Sequence, residues 1–133
     1  MRRRDFRIMK IFSIEEANAL LPQVRPLLVS IRRGRSQLRS YDNAAKHAAA
    51  GADLGGGGML NGARYVTILM QIASQSSDLD TLGIQLKDYE RGLIDFPSLR
   101  DGRVVLLCWH LGDSDHIEWW HDVESGFAGR QPL

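Results

Sequence analysis

The sequence has one cysteine, no apolar run long enough to cross a bilayer, almost no net charge and no strong catalytic motif. Each lack excludes something. A single thiol, Cys108, rules out an intramolecular disulfide and suits a reducing compartment. The missing apolar run removes a membrane span, and the Arg-rich start MRRRDFRI is followed by nothing that would serve as a secretion signal, so the expected location is cytoplasmic. With 17 Lys+Arg against 16 Asp+Glu the net charge is +1, and no global field draws the chain to nucleic acid or to an anionic membrane. The zinc-peptidase spacing H-E-x-x-H is absent. The Gly55–Gly58 run lacks both the preceding strand and the Lys-Ser/Thr of a phosphate-binding loop, and it reads instead as the link of a helical hairpin. No internal repeat is visible.

What is present suffices for one domain. A chain of 133 residues with 44% hydrophobic side chains folds around a modest core of its own. Its halves differ in charge: residues 1–82 carry 12 basic and 7 acidic side chains, residues 83–133 carry 5 and 9. One half is therefore suited to docking on the other, within a chain or between copies.

Ser13 and Glu16 stand at the spacing of a capping box and predict a helix start. Apolar residues follow at Ala17, Leu20, Leu21, Val24, Leu27, Leu28, Ile31, Leu38 and Tyr41, a stripe of helical period that continues to about Ala50. Pro22 and Pro26 fall inside it and predict a kink near Leu21. A second stripe, Tyr65, Val66, Leu69, Ile72, Ala73, Leu79 and Leu82, ends at Gly83, a candidate helix-terminating glycine. Residues 9–82 thus predict a helical hairpin.

After Gly83 the period changes. GIQLK, LIDFPSL, VVLLCWHL and HIEWWH are short β-branched and aromatic runs split by turn residues, predicting an antiparallel meander of three to four strands over residues 83–133. The expected fold class is α+β. Asp101-Gly102 predicts a two-residue type I′ turn, which pairs Arg100 with Arg103, Phe96 with Leu107, Asp95 with Cys108, Ile94 with Trp109 and Leu93 with His110. A symmetrical closure around Gly112–His116 pairs Trp109 with Trp119 and His110 with Glu118. Alternation then assigns Ile84, Leu86, Ile94, Phe96, Val105, Leu107, Trp109, Leu111, Ile117 and Trp119 to the face under the helices. The reverse face, with Leu93, Leu106 and Trp120 among its polar residues, is too apolar to be left in water.

Chemistry concentrates in CWHLGDSDHIEWWHD, Cys108–Asp122, which holds three of the four histidines, all three tryptophans, the cysteine and four carboxylates. Spacing alone does not make it a metal site: His116 and His121, five residues apart, point to opposite sides of a strand. The two registers do gather Asp95, Cys108, His110 and Glu118 on the reverse face, with Lys87 nearby. This is a candidate metal or acid/base constellation; its plainer reading is cross-strand ion pairs and hydrogen bonds of ~0.2–1 kcal/mol each. Cys108 beside His110 resembles a nucleophile and its base, but the apolar neighbours in VVLLCW bury the thiol and deactivate it. His121 is expected on the core face as a hydrogen-bonded structural imidazole, with a metal-ligand role as the alternative. Arg25, Arg32, Arg33, Arg35 and Arg39 line the first helix without the interleaved aromatics of a single-strand binder, so a solvated or acid-pairing face is expected and nucleic acid is not. In ESGFAGRQPL, Gly126 and Gly129 bracket Phe127 and predict a sharp turn. Arg130 is then placed to fork onto Asp95, Glu118 or Glu124, which locks the tail, or onto an anionic ligand.

At KIFSIEEANALLP, GIQLKDYERGLIDFPSLRDGRVVLLCWHLGD and WWHDVESGFAGRQPL the chain resembles a small bacterial family catalogued as domain of unknown function 2203. The blocks Asp95-Phe96-Pro97, Leu107-Cys108-Trp109, Trp120-His121 and Gly126–Arg130 carry the resemblance most specifically. It implies two helices before a small sheet, and no activity. It also implies that the domain begins near Met9, with Met1–Ile8 a disordered upstream extension. The family more usually has arginine where His110 stands and glutamate where Asp113 stands.

Together these readings predict a non-catalytic, cytoplasmic α+β module that self-associates as a homodimer, with no cofactor, nucleic acid or membrane partner. The alternative is an enzyme or small-molecule binder, with a divalent metal as its cofactor, using the sheet face around Asp95, His110 and Glu118. His121 would then be a further acid/base group or metal ligand, and Arg130 would grip an anion.

Overall fold

Local chemistry sets where the first helix starts and where the second one stops. In the computed structural model, which describes residues 9–50 and 62–133, helix α1 (Ile14–Ala50) opens with the reciprocal capping box. The Ser13 N–H donates to Glu16 Oε1 at 2.8 Å, and the Glu16 N–H donates to Ser13 Oγ at 3.0 Å. The helix runs unbroken through Pro22 and Pro26, and every residue of its predicted stripe is buried or packed on the core. Leu21, Leu28 and Ile31 are fully buried, each contributing ~1.5–3 kcal/mol. Helix α2 (Gly62–Thr81) ends in a Schellman motif. The N–H of Gly83, at φ +89°, donates to the Asp80 carbonyl, and that of Ile84 donates to the Leu79 carbonyl. Leu79 and Ile84 are the buried apolar pair that accompanies this motif. The expected extension over Met1–Ile8 and the Gly55–Gly58 link lie outside the described residues.

The two helices approach closely at Gly34, where a Cβ would stand 3.0 Å from Ile72 Cγ1. The buried face of α2 is Ile68, Ile72 and Leu79, with Tyr65 edge-on to Tyr41 of α1. This corrects the predicted stripe. Val66 and Leu69 face outward at 52% and 43% exposure, with Met70 at 67% and Ala73 also exposed. Both faces of α2 are apolar enough to be buried, and only the packing against α1 decides which one is.

The sheet has five antiparallel strands in the order β1-β2-β3-β4-β5, against the three to four predicted. They are β1 (Gln85–Asp88), β2 (Leu93–Arg100), β3 (Arg103–His110), β4 (Trp119–Asp122) and β5 (Gln131–Pro132). The added strand is a two-residue tail lying along β4. Asp101 and Gly102 take φ of +52° and +79°, and the β2–β3 pairing follows in the predicted register over all its rungs. The β3–β4 register does not follow prediction. Cys108 pairs with Trp119, Leu107 with Trp120 and Leu106 with His121, one position out of step with Trp109–Trp119.

The cause is the connection between these strands, which is not a symmetrical turn. The Ile117 N–H is drawn to Asn18 Oδ1 on α1, the Trp109 indole N–H donates to the Ser114 carbonyl, and Ile117 is buried in the core. A one-residue slip turns every side chain of β4 over. Trp120, not Trp119, therefore joins the core of Ile84, Ile94, Phe96, Val105, Leu107 and Trp109 beneath the helices. Among the described residues no helix is long and apolar enough to cross a membrane.

Candidate functional site

The corrected register brings His121 to the reverse face of the sheet, where Asp95 and Cys108 already face each other across β2 and β3. All three side chains are buried, and their ligand-type atoms lie within 4.8 Å of one another. The His121 Nδ1–H donates to the Asp122 carbonyl at 2.7 Å, so Nε2 carries the free lone pair and lies 3.0 Å from Asp95 Oδ1. One proton is therefore held between Nε2 and the carboxyl group. Burial pushes Asp95 above the usual carboxylate range, against the opposing pull of His121, Lys87 and the Cys108 thiol. The thiol is pushed up to about 12, first by burial and then by the neighbouring Asp95, while Arg130 opposes the rise. A neutral S–H hydrogen-bonded to an acid is not a nucleophile at neutral pH.

His110 belongs to a second, separate group at the end of the same face. Its Nδ1–H donates to the Leu111 carbonyl at 2.6 Å and its Nε2 lies 3.2 Å from Asp113 Oδ1. The His110 backbone N–H donates to Asp113 Oδ2 at 3.1 Å. The other claim on Asp113 comes from the tail. Gly126, at φ +66°, begins the sharp turn expected around Phe127, and Phe127–Gly129 forms a single 3-10 turn. Arg130 Nη2 then bridges both oxygens of Asp113, at 3.2 and 3.1 Å. Its guanidinium stacks between Trp119 and Phe127, 4.6 and 4.8 Å from the ring centroids, and Phe127 stands edge-on to His110 at 5.6 Å. The tail thus covers this face, and the acid it uses is Asp113 rather than Asp95, Glu118 or Glu124. Arg130 Nη1 is buried with no hydrogen-bond partner among the described residues.

Glu118 joins neither group: it is exposed and accepts from Ser114 Oγ at 3.0 Å. His116 is exposed on the β3–β4 connection, and Lys87 reaches Asp95 only through its charge. Sequence reasoning passed over Asp113. The signal for it was Leu111-Gly112-Asp113 directly after a strand, where Gly112 at φ +106° folds the carboxylate back onto the last strand residue. A cavity of about 230 Å³ lies elsewhere, where Ser13 and Ile14 meet Ser98, Trp120 and Leu133, and Arg100 is its only ionisable side chain.

Residues 10–133 match the family described as an uncharacterized conserved protein, DUF2203, and the chain belongs to that family. The comparison with curated proteins finds no match. The comparison with solved structures finds none either.

Proposed function

We propose that this member of the DUF2203 family is a non-catalytic, cytoplasmic module that works as a homodimer joined along α2. The observation carrying this reading is the outward face of α2. Val66, Leu69, Met70 and Ala73 stand at i, i+3, i+4 and i+7, all exposed, and no charged residue occurs between Arg64 and Asp78. Such a seam on a helix already packed on its other side is a surface made for a second helix. The second copy is the occupant because the seam is self-complementary. Antiparallel pairing about a two-fold axis between Leu69 and Met70 brings Val66 toward the partner's Ala73 and Leu69 toward the partner's Met70.

The non-catalytic part of the reading is supported by the closed setting of the reactive side chains. Asp95 and His121 are each 3% exposed, and Cys108 lies beneath the sheet surface with them. The acid of the more open group, Asp113, is already held by Arg130. A test is light scattering after size exclusion. A mass near twice 14.9 kDa is expected for the unmodified chain, and one near a single chain for Leu69→Glu, whose exposed position leaves the fold intact. A single-chain mass for the unmodified protein at high concentration removes the proposal.

A further inference from the structure

Three adjacent strands each send one side chain to the same point on the reverse face of the sheet: Asp95 from β2, Cys108 directly across on β3, and His121 from β4. We infer that Asp95, Cys108 and His121 form a site for one divalent transition-metal ion of the zinc class.

Four observations carry this. The three donor atoms, a carboxylate oxygen, a sulfur and an imidazole nitrogen, already lie within 4.8 Å of one another, and they are the donor types that tetrahedral Zn²⁺ takes. The imidazole is set in the tautomer a metal requires: Nδ1–H is spent on the Asp122 carbonyl, and Nε2 faces the acid and the thiol. All three residues stand in the central strands of the sheet, where backbone pairing fixes their positions. Charge is matched as well: a divalent ion held by a thiolate, a carboxylate and a neutral imidazole makes a neutral buried cluster. Three protein ligands leave a fourth position to water or a small ligand. The neighbouring His110–Asp113 pair is not an equivalent site, because the Arg130 guanidinium already sits 3.1 Å from the Asp113 carboxylate.

The lone cysteine makes the site testable without ambiguity. Full-length protein is stripped with a chelator and titrated with Co²⁺, then with Zn²⁺. One equivalent of Co²⁺ is expected to produce a thiolate-to-cobalt charge-transfer absorption, which can arise only from Cys108, and one equivalent of Zn²⁺ to abolish it. Calorimetry in buffers of different ionisation enthalpy should show protons released on binding, because cysteine ligates as the thiolate. Cys108→Ser should lose the band and bind at least ~100-fold more weakly, the upper end of what loss of an outer-shell partner alone costs. His110→Gln should keep both. Absence of the band with Co²⁺ in excess overturns the site in the unmodified protein, whether or not the serine variant folds. So does a band that disappears with His110→Gln, and so does unchanged affinity in a folded Cys108→Ser. The oligomer mass plays no part in this readout, so the two proposals fail independently.

Discussion

His121 and His110 lie on the same face of the same sheet and are wired alike. Each donates Nδ1–H to the carbonyl of the next residue, and each turns Nε2 toward an aspartate about 3 Å away. They differ in depth and in the third group. His121 is 3% exposed and shares its acid with a thiol; His110 is 27% exposed and shares its acid with a guanidinium. The same local wiring therefore serves two ends. Where a permanent cation already satisfies the carboxylate, the imidazole completes a clasp that fastens the tail. Where only protons satisfy it, the group stays exchangeable.

The comparison predicts unequal costs. His121→Ala leaves Asp95 buried without its partner and should lose about 3–5 kcal/mol of unfolding free energy in urea titrations. His110→Ala removes a partly exposed partner from an acid that Arg130 still holds, and the expected loss is only ~0.5–1.5 kcal/mol. Equal losses would show that the two histidines are energetically the same and that depth does not matter. The smallest effect separates open acids from the closed one by sign. The hydrogen bonds from Ser13 hold Glu16 below its ordinary 4.5, and the backbone N–H groups of Arg91 and Glu90 hold Asp88 low in the same way. Their stabilisation is present above those ordinary values and is lost as pH falls through the depressed ones. Burial raises Asp95, so its own contribution runs the other way and is lost as pH rises through the raised value. In an acid titration followed by circular dichroism, Glu16→Gln should flatten the low-pH decline and leave the neutral-pH fold unchanged.

The features that the sequence predicted correctly are those set by contacts within a few residues. The capping box at Ser13, the glycine terminus at Gly83 and the Asp101-Gly102 turn were all visible, and that turn alone set the pairing of Asp95 with Cys108. Hidden features were set from a distance. Asn18 on α1 decides how the chain returns into β4, and nothing local to Leu111–Glu118 encodes a partner 99 residues away. The one-residue slip exchanged Glu118 for His121 on the reverse face, which turned an expected grouping around His110 into one around His121. The outward seam of α2 was misassigned for a related reason: periodicity finds an apolar face, but Val66–Leu69–Ala73 and Ile68–Ile72 satisfy the same period.

Cys108 has no accessible surface, so two copies of the chain have no thiol to offer each other. An oxidant in the buffer leaves any association between them unsealed, and dilution alone should be enough to part the copies.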